Sequence, residues 1–182
     1  MLSLMGLSYA NLDGRTRQFM LAEIDIDIAA GSLFISTRLS ALGSTAFPEL
    51  LKEAVKQNND DWLAEQLRSR NLLNPTLQAR KPKSSEYYTK SMPVDAPDTL
   101  AEGEFNRFYA RGLCRRALED GIPMLEIYRA KNVLNPRSES QAKIGTTIGA
   151  AALLQDLRTS QGMDTALGLP PGPNSGLTVK FP

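Results

Sequence analysis

The stretch from Thr99 to Gly121 constrains this chain more than any other. Thr99-Leu-Ala-Glu102 has the spacing of a capping box, in which the threonine hydroxyl accepts from a first-turn N–H and the glutamate reaches back. Phe105, Phe108, Tyr109, Leu113, Ala117 and Leu118 then recur at helical spacing, and Gly121 is a natural stop. A long helix with that many large apolar side chains needs other elements to cover it. The spacing therefore predicts a capped central helix lying in a core.

The covering elements read mainly as helices. Asn11 and Asp13 are N-cap types ahead of a stripe made by Met20, Ile24 and Ile28, widened by Phe19 and Ala22 and stopped by Gly31. The tail Ile24-Asp-Ile-Asp-Ile28 also alternates with period two, as a strand would, but the upstream pattern favours helix. Ser32 to Ser40 fits a strand or a buried turn. Pro48 suits the first turn of a helix that presents Leu50, Leu51, Ala54 and Val55. Asn58-Asn-Asp-Asp61 breaks that helix and caps a second one carrying Trp62, Leu63, Gln66 and Leu67 as far as Arg70, giving an αα-hairpin. Pro123 to Tyr128 reads as a strand, and Ala150 to Arg158 as a last helix with Ala150, Leu153, Leu154 and Leu157 inward.

The fold class is mostly α with a minor β component, an α+β chain. Four regions are expected within one domain: an N-terminal helical region over 1–73, an extended Pro-containing connection over 74–98, a central helix, strand and C-terminal helix over 99–167, and an extended Pro/Gly-rich arm over 168–182. A connection of that length is usually functional, disordered or laid across a partner.

Composition narrows the function classes. Among 182 residues, 21 Lys and Arg face 20 Asp and Glu, so no global field draws the chain to nucleic acid or to an anionic membrane, and any such binding needs a local patch. The apolar N-terminus lacks the charged start and long apolar run of a signal peptide, and no window nears the ~20 apolar residues of a span. The single cysteine, Cys114, excludes an internal disulfide. Cytoplasmic residence and no membrane contact are expected.

Histidine is absent, which removes Ser-His-Asp and Cys-His catalysis and His-ligated zinc or iron. No phosphate-cradling glycine motif is present. The expectation is no catalytic residue, no metal and no cofactor. Cys114 lies among Arg111, Arg115 and Arg116, which favour a thiolate, but a lone helical cysteine reads better as a small buried hydrophobe. Glu23, Asp25 and Asp27 would hold a magnesium ion only on a strand; on a helix Asp25 and Asp27 diverge, and the group reads as a solvated face.

Two features remain as candidate sites. Arg107, Arg111 and Arg115 line one side of the central helix at a spacing of four, with Arg116 broadening the stripe, and Arg80, Lys81 and Lys83 add a basic loop. Guanidinium forks in a row clamp phosphates or an acidic partner, unless acids such as Glu104 and Glu119 neutralise them within the fold. In the arm, Leu177, Val179 and Phe181 share a face and suit docking on a partner's sheet edge or groove. The leading expectation is a non-catalytic subunit acting by protein–protein contacts or self-association within a macromolecular assembly, such as a phage-related or defence complex, with no residue selecting among these. A nucleic-acid-binding module using the arginine stripe and the Arg80–Lys83 loop is the alternative, and a carboxylate–metal enzyme the third.

Overall fold

Helix α4 (Ala96–Glu119) runs through the middle of the computed structural model, which describes residues 6–161, 168–169 and 175–182. Its buried side carries Phe105, Phe108, Tyr109, Leu113 and Ala117 as predicted, while Leu118 faces solvent. The helix begins a turn earlier than the capping box implies. Pro97 occupies the first turn, and the Thr99 amide already bonds the Asp95 carbonyl at 2.9 Å, so Thr99 and Glu102 are interior residues. Glu102 turns to Lys131 instead. Gly121 closes the helix at φ +71°, with the Ile122 amide returning to the Ala117 carbonyl at 2.7 Å.

Helix α1 (Gly14–Ala29) starts at Asp13, whose side chain accepts from the Thr16 amide, and lies across α4 with Met20 and Ile24 buried. The crossing depends on Gly112. A Cβ there would meet Cγ and the amide nitrogen of Met20 at 2.6 and 2.8 Å, so the two backbones approach as only glycine allows. Helices α2 (Ala41–Gln57) and α3 (Asp60–Ser69) form the predicted αα-hairpin, but α2 starts at the Ser40 cap and runs through Pro48. The ring removes the amide that would bond the carbonyl of half-buried Ser44, and burial of Gly43 and Phe47 holds the extra turns in place.

Three antiparallel strands close the core beside α4 in the order β4 (Thr147–Gly149), β3 (Met124–Arg129), β5 (Leu177–Lys180). Ile127 stands opposite Val179 and Leu125 opposite Ile148, and Leu125, Ile127, Leu177 and Val179 point into the core. The connection between β3 and β4 carries a short helix, α5 (Ser138–Lys143), and α6 (Ala150–Thr159) presents Ala150, Leu153, Leu154 and Leu157 inward. Residues 32–40 form a turn-rich segment with a bridge from Leu39 to Leu73 rather than a strand.

The connection over 74–98 is not merely extended. Strands β1 (Thr76–Arg80) and β2 (Tyr87–Ser91) pair in register from Thr76–Ser91 to Arg80–Tyr87, forming a two-stranded ribbon. With these elements the chain is α+β, about half of it helical. Among the described residues no helix is long and apolar enough to cross a membrane.

Candidate functional site

The arginine stripe exists, but it faces inward. Arg111 is fully buried, and α1 supplies its partners. Its Nε donates to Glu23 Oε2 at 2.8 Å, while Nη1 and Nη2 donate to the two oxygens of Asp27 at 2.7 and 2.9 Å. Arg158 of α6 reaches the same Glu23 carboxylate at 2.6 and 3.0 Å, and Arg115 approaches it at 3.3 Å. Burial pushes Glu23 up, but the bonds from Arg158 and Arg111 outweigh it and hold its carboxyl below the ordinary range. Arg107 is spent on the Ser160 carbonyl at 3.0 Å, and Arg116 on Asp13 and Thr16. The stripe is thus a clamp binding α1 and α6 to α4, and Arg111 has no face left for a phosphate or an acidic partner.

The same geometry corrects the reading of the acidic group. On the helical α1, Glu23 and Asp27 sit four apart on the buried side, and Asp25 alone turns out to Lys52 at 2.8 Å. Their i, i+4 spacing inside the Met20–Ile24 stripe was the available signal for a buried ion pair. Arg158 carried no comparable signal, whereas Glu104, three residues before Arg107, was expected as a neutralising acid. Glu104 is buried beside Arg107, 3.8 Å away, and burial pushes its carboxyl up to about 7 despite the nearby arginines. Among the described residues its Oε2 meets no hydrogen-bond donor.

Cys114 is buried, and burial raises its thiol to about 12, so the neighbouring arginines produce no reactive thiolate. The arm is likewise claimed by its own chain. Leu177 and Val179 are buried in β5, the Phe181 amide donates to Asn11 Oδ1 at 2.9 Å, and the Arg116 guanidinium lies over the Phe181 ring. A partner-docked arm is replaced by a strand that completes the sheet. The prolines at 170, 171 and 173 lie outside the described residues.

The β1–β2 ribbon remains as the candidate site. All five residues of β2 are exposed, Tyr87 by 66% and Tyr88 by 42%. Residues directly opposite share a face, so Arg80 and Tyr87 stand together with Gln78, Thr89, Thr76 and Ser91 on one wholly exposed side. At the tip the Lys81 amide bonds the Glu86 carbonyl at 2.9 Å and the Arg80 Nε bonds the Ser84 carbonyl at 2.6 Å. This folds Arg80, Lys81, Pro82, Lys83, Ser84 and Ser85 around an open concavity of about 570 Å³. Lys83 holds φ +56°, a left-handed conformation that lysine rarely takes. Residues 76–91 contain four basic side chains and one acid, Glu86, so a chain of net charge +1 carries +3 here and −2 elsewhere.

Arg80, Lys81 and Lys83 are thus brought together as the sequence suggested. Tyr87, Tyr88 and Lys90 were missed. Their signal was two β-prone runs, Thr76–Arg80 and Tyr87–Ser91, bracketed by Pro75 and Pro93 and split by a Pro-Lys-Ser-Ser turn. Compared with protein-family models, with curated proteins and with solved structures, the chain gives no match.

Proposed function

We propose that this chain is a non-catalytic subunit that acts by surface contact within a larger assembly, with the β1–β2 ribbon as its contacting element. The observation that supports the reading is the contrast in exposure. The ribbon presents two tyrosines and net basic charge to solvent, whereas the arginines along α4 are already taken up by acids of α1, by Asp13 and by the Ser160 carbonyl. Isolated two-stranded ribbons are marginal in water, so a chain that keeps one exposed has use for its surface. Exposed aromatic and arginine side chains are also the types that dominate binding energy at interfaces.

The test is to replace residues 77–90 with a short glycine link, which is feasible because Thr76 and Ser91 are paired neighbours. The shortened chain is expected to melt like the parent and to leave the native assembly, which sedimentation of extracts reads directly. An unchanged sedimentation profile would end the reading.

A further inference from the structure

We propose that the ribbon is a binding site for single-stranded nucleic acid, with Arg80, Lys81 and Lys83 holding the phosphates and Tyr87 stacking on a base. This names the partner of the contacting element and rests on that assignment of the ribbon.

Charge selects a polyanion. The three basic side chains line one concavity at the tip, and among the described residues only Lys81 has an acid beside it, Glu86, bonded at 2.6 Å. A phosphate displaces Glu86 without leaving it buried, since both groups are exposed and their pair is worth little. The remainder of the chain is net acidic, so the attraction is confined to the ribbon and orients the molecule tip-first.

The aromatic residue selects a single strand. Tyr87 stands directly across from Arg80 on the exposed face, which pairs a flat apolar ring with a planar cation. Unpaired bases stack on such a ring whatever their sequence. In a duplex the base faces are already stacked on one another, and a phenol ring in the groove meets only edges. An acidic protein would use the charge but gives the ring no comparable surface. Gln78 and Thr89, bonded side chain to side chain at 2.7 Å, keep the same face polar beyond the ring.

The test uses the full chain and a dye-labelled thymidine single strand, read by fluorescence anisotropy. With three phosphates engaged, affinity is expected to fall about 20-fold between about 50 and 200 mM salt. Tyr87→Ala is expected to weaken binding at least about fivefold, while Tyr87→Phe, which keeps the ring, retains it. Arg80→Ala with Lys83→Ala is expected to flatten the salt dependence. No binding at low salt, or binding that survives replacement of residues 77–90, overturns the proposal. Equal affinity for a duplex together with indifference to Tyr87→Ala also overturns it, because the ring then contributes nothing. If the shortened chain leaves its native assembly while the parent binds no nucleic acid, the contact role stands and the nucleic acid is the wrong partner.

Discussion

Two arginine-bearing regions of this molecule look alike as sequence and differ completely as structure. On α4, Arg107, Arg111 and Arg115 recur every four residues; on the ribbon, Arg80, Lys81 and Lys83 crowd a tip. In the first group Arg111 and Arg115 meet the Glu23–Asp27 pair of α1 across a crossing made close by Gly112, Arg107 turns to the Ser160 carbonyl, and the fold consumes all three. The second meets one acid, Glu86, and stays in water. What decides the fate of a basic cluster is the surface brought against it. A stripe on a helix with aromatic residues on its other positions will be packed over, whereas a ribbon between prolines has little body to pack against.

The largest expected effect breaks the buried side of that comparison. Arg111→Ala removes one partner and leaves Glu23 and Asp27 in the core without their main cation, which costs about 3–5 kcal/mol. Urea denaturation measures it, with Arg80→Ala as the ribbon counterpart expected within about 0.5 kcal/mol of the parent. Equal midpoints for the two variants would show that the clamp is not holding α1 on α4.

A smaller effect sharpens the comparison through pH. Glu104 is held at about 7 against an ordinary 4.5 by its burial, with Arg107 and Arg111 opposing and Asp27 assisting. A raised carboxyl keeps its proton in the folded chain where the unfolded chain has lost it. Its contribution is therefore full below about pH 4.5 and disappears as pH rises through about 7. Asp60, raised to about 6 by burial, acts in the same direction at lower pH, and Glu23, lowered, acts oppositely. Comparing the parent with Glu104→Gln isolates the one group. The variant is expected to gain about 3 kcal/mol on the parent between pH 4.5 and 7.5, since about 7 in the fold stands about 2.5 above the ordinary 4.5. A difference that stays flat with pH would mean Glu104 is ionised in the fold.

The helical frame was legible because it is local. Met20 and Ile24, then Leu50, Leu51, Ala54 and Val55, then Phe105, Phe108, Tyr109, Leu113 and Ala117 recur at the helix period, and all are buried. Helix starts were less legible. Thr99 and Glu102 make a fair capping box, yet Pro97 permits an earlier start, and Glu102 has a better use in pairing with Lys131. The direction of the arginine stripe was illegible, because it depends on where α1 crosses α4. Glu23 and Arg111 are 88 residues apart, and no local pattern encodes their meeting. The arm failed for the same reason: alternation in Leu177, Val179 and Phe181 marks a strand, but not whose sheet it joins, and β3 of the same chain supplies it.

The smallest expected effect lies at the ribbon tip and separates folding from binding there. Lys83 occupies the left-handed region at φ +56°, where its Cβ crowds the following carbonyl. Glycine takes that conformation without the clash but gives up more freedom in the unfolded chain, so Lys83→Gly is expected to tighten the turn by less than about 1 kcal/mol. The ribbon is exposed and can open without the core, so global unfolding will not register the gain. Amide exchange will, at Lys81, whose N–H bonds the Glu86 carbonyl across the tip, and at Glu86, whose N–H bonds the Ser84 hydroxyl. Slower exchange at both sites, together with weaker binding of a thymidine strand, would show that the lysine is kept at the tip for its charge and against the preference of the turn. Faster exchange with binding intact would show the opposite, that the Lys83 side chain supports the turn and the phosphates are held elsewhere on the ribbon.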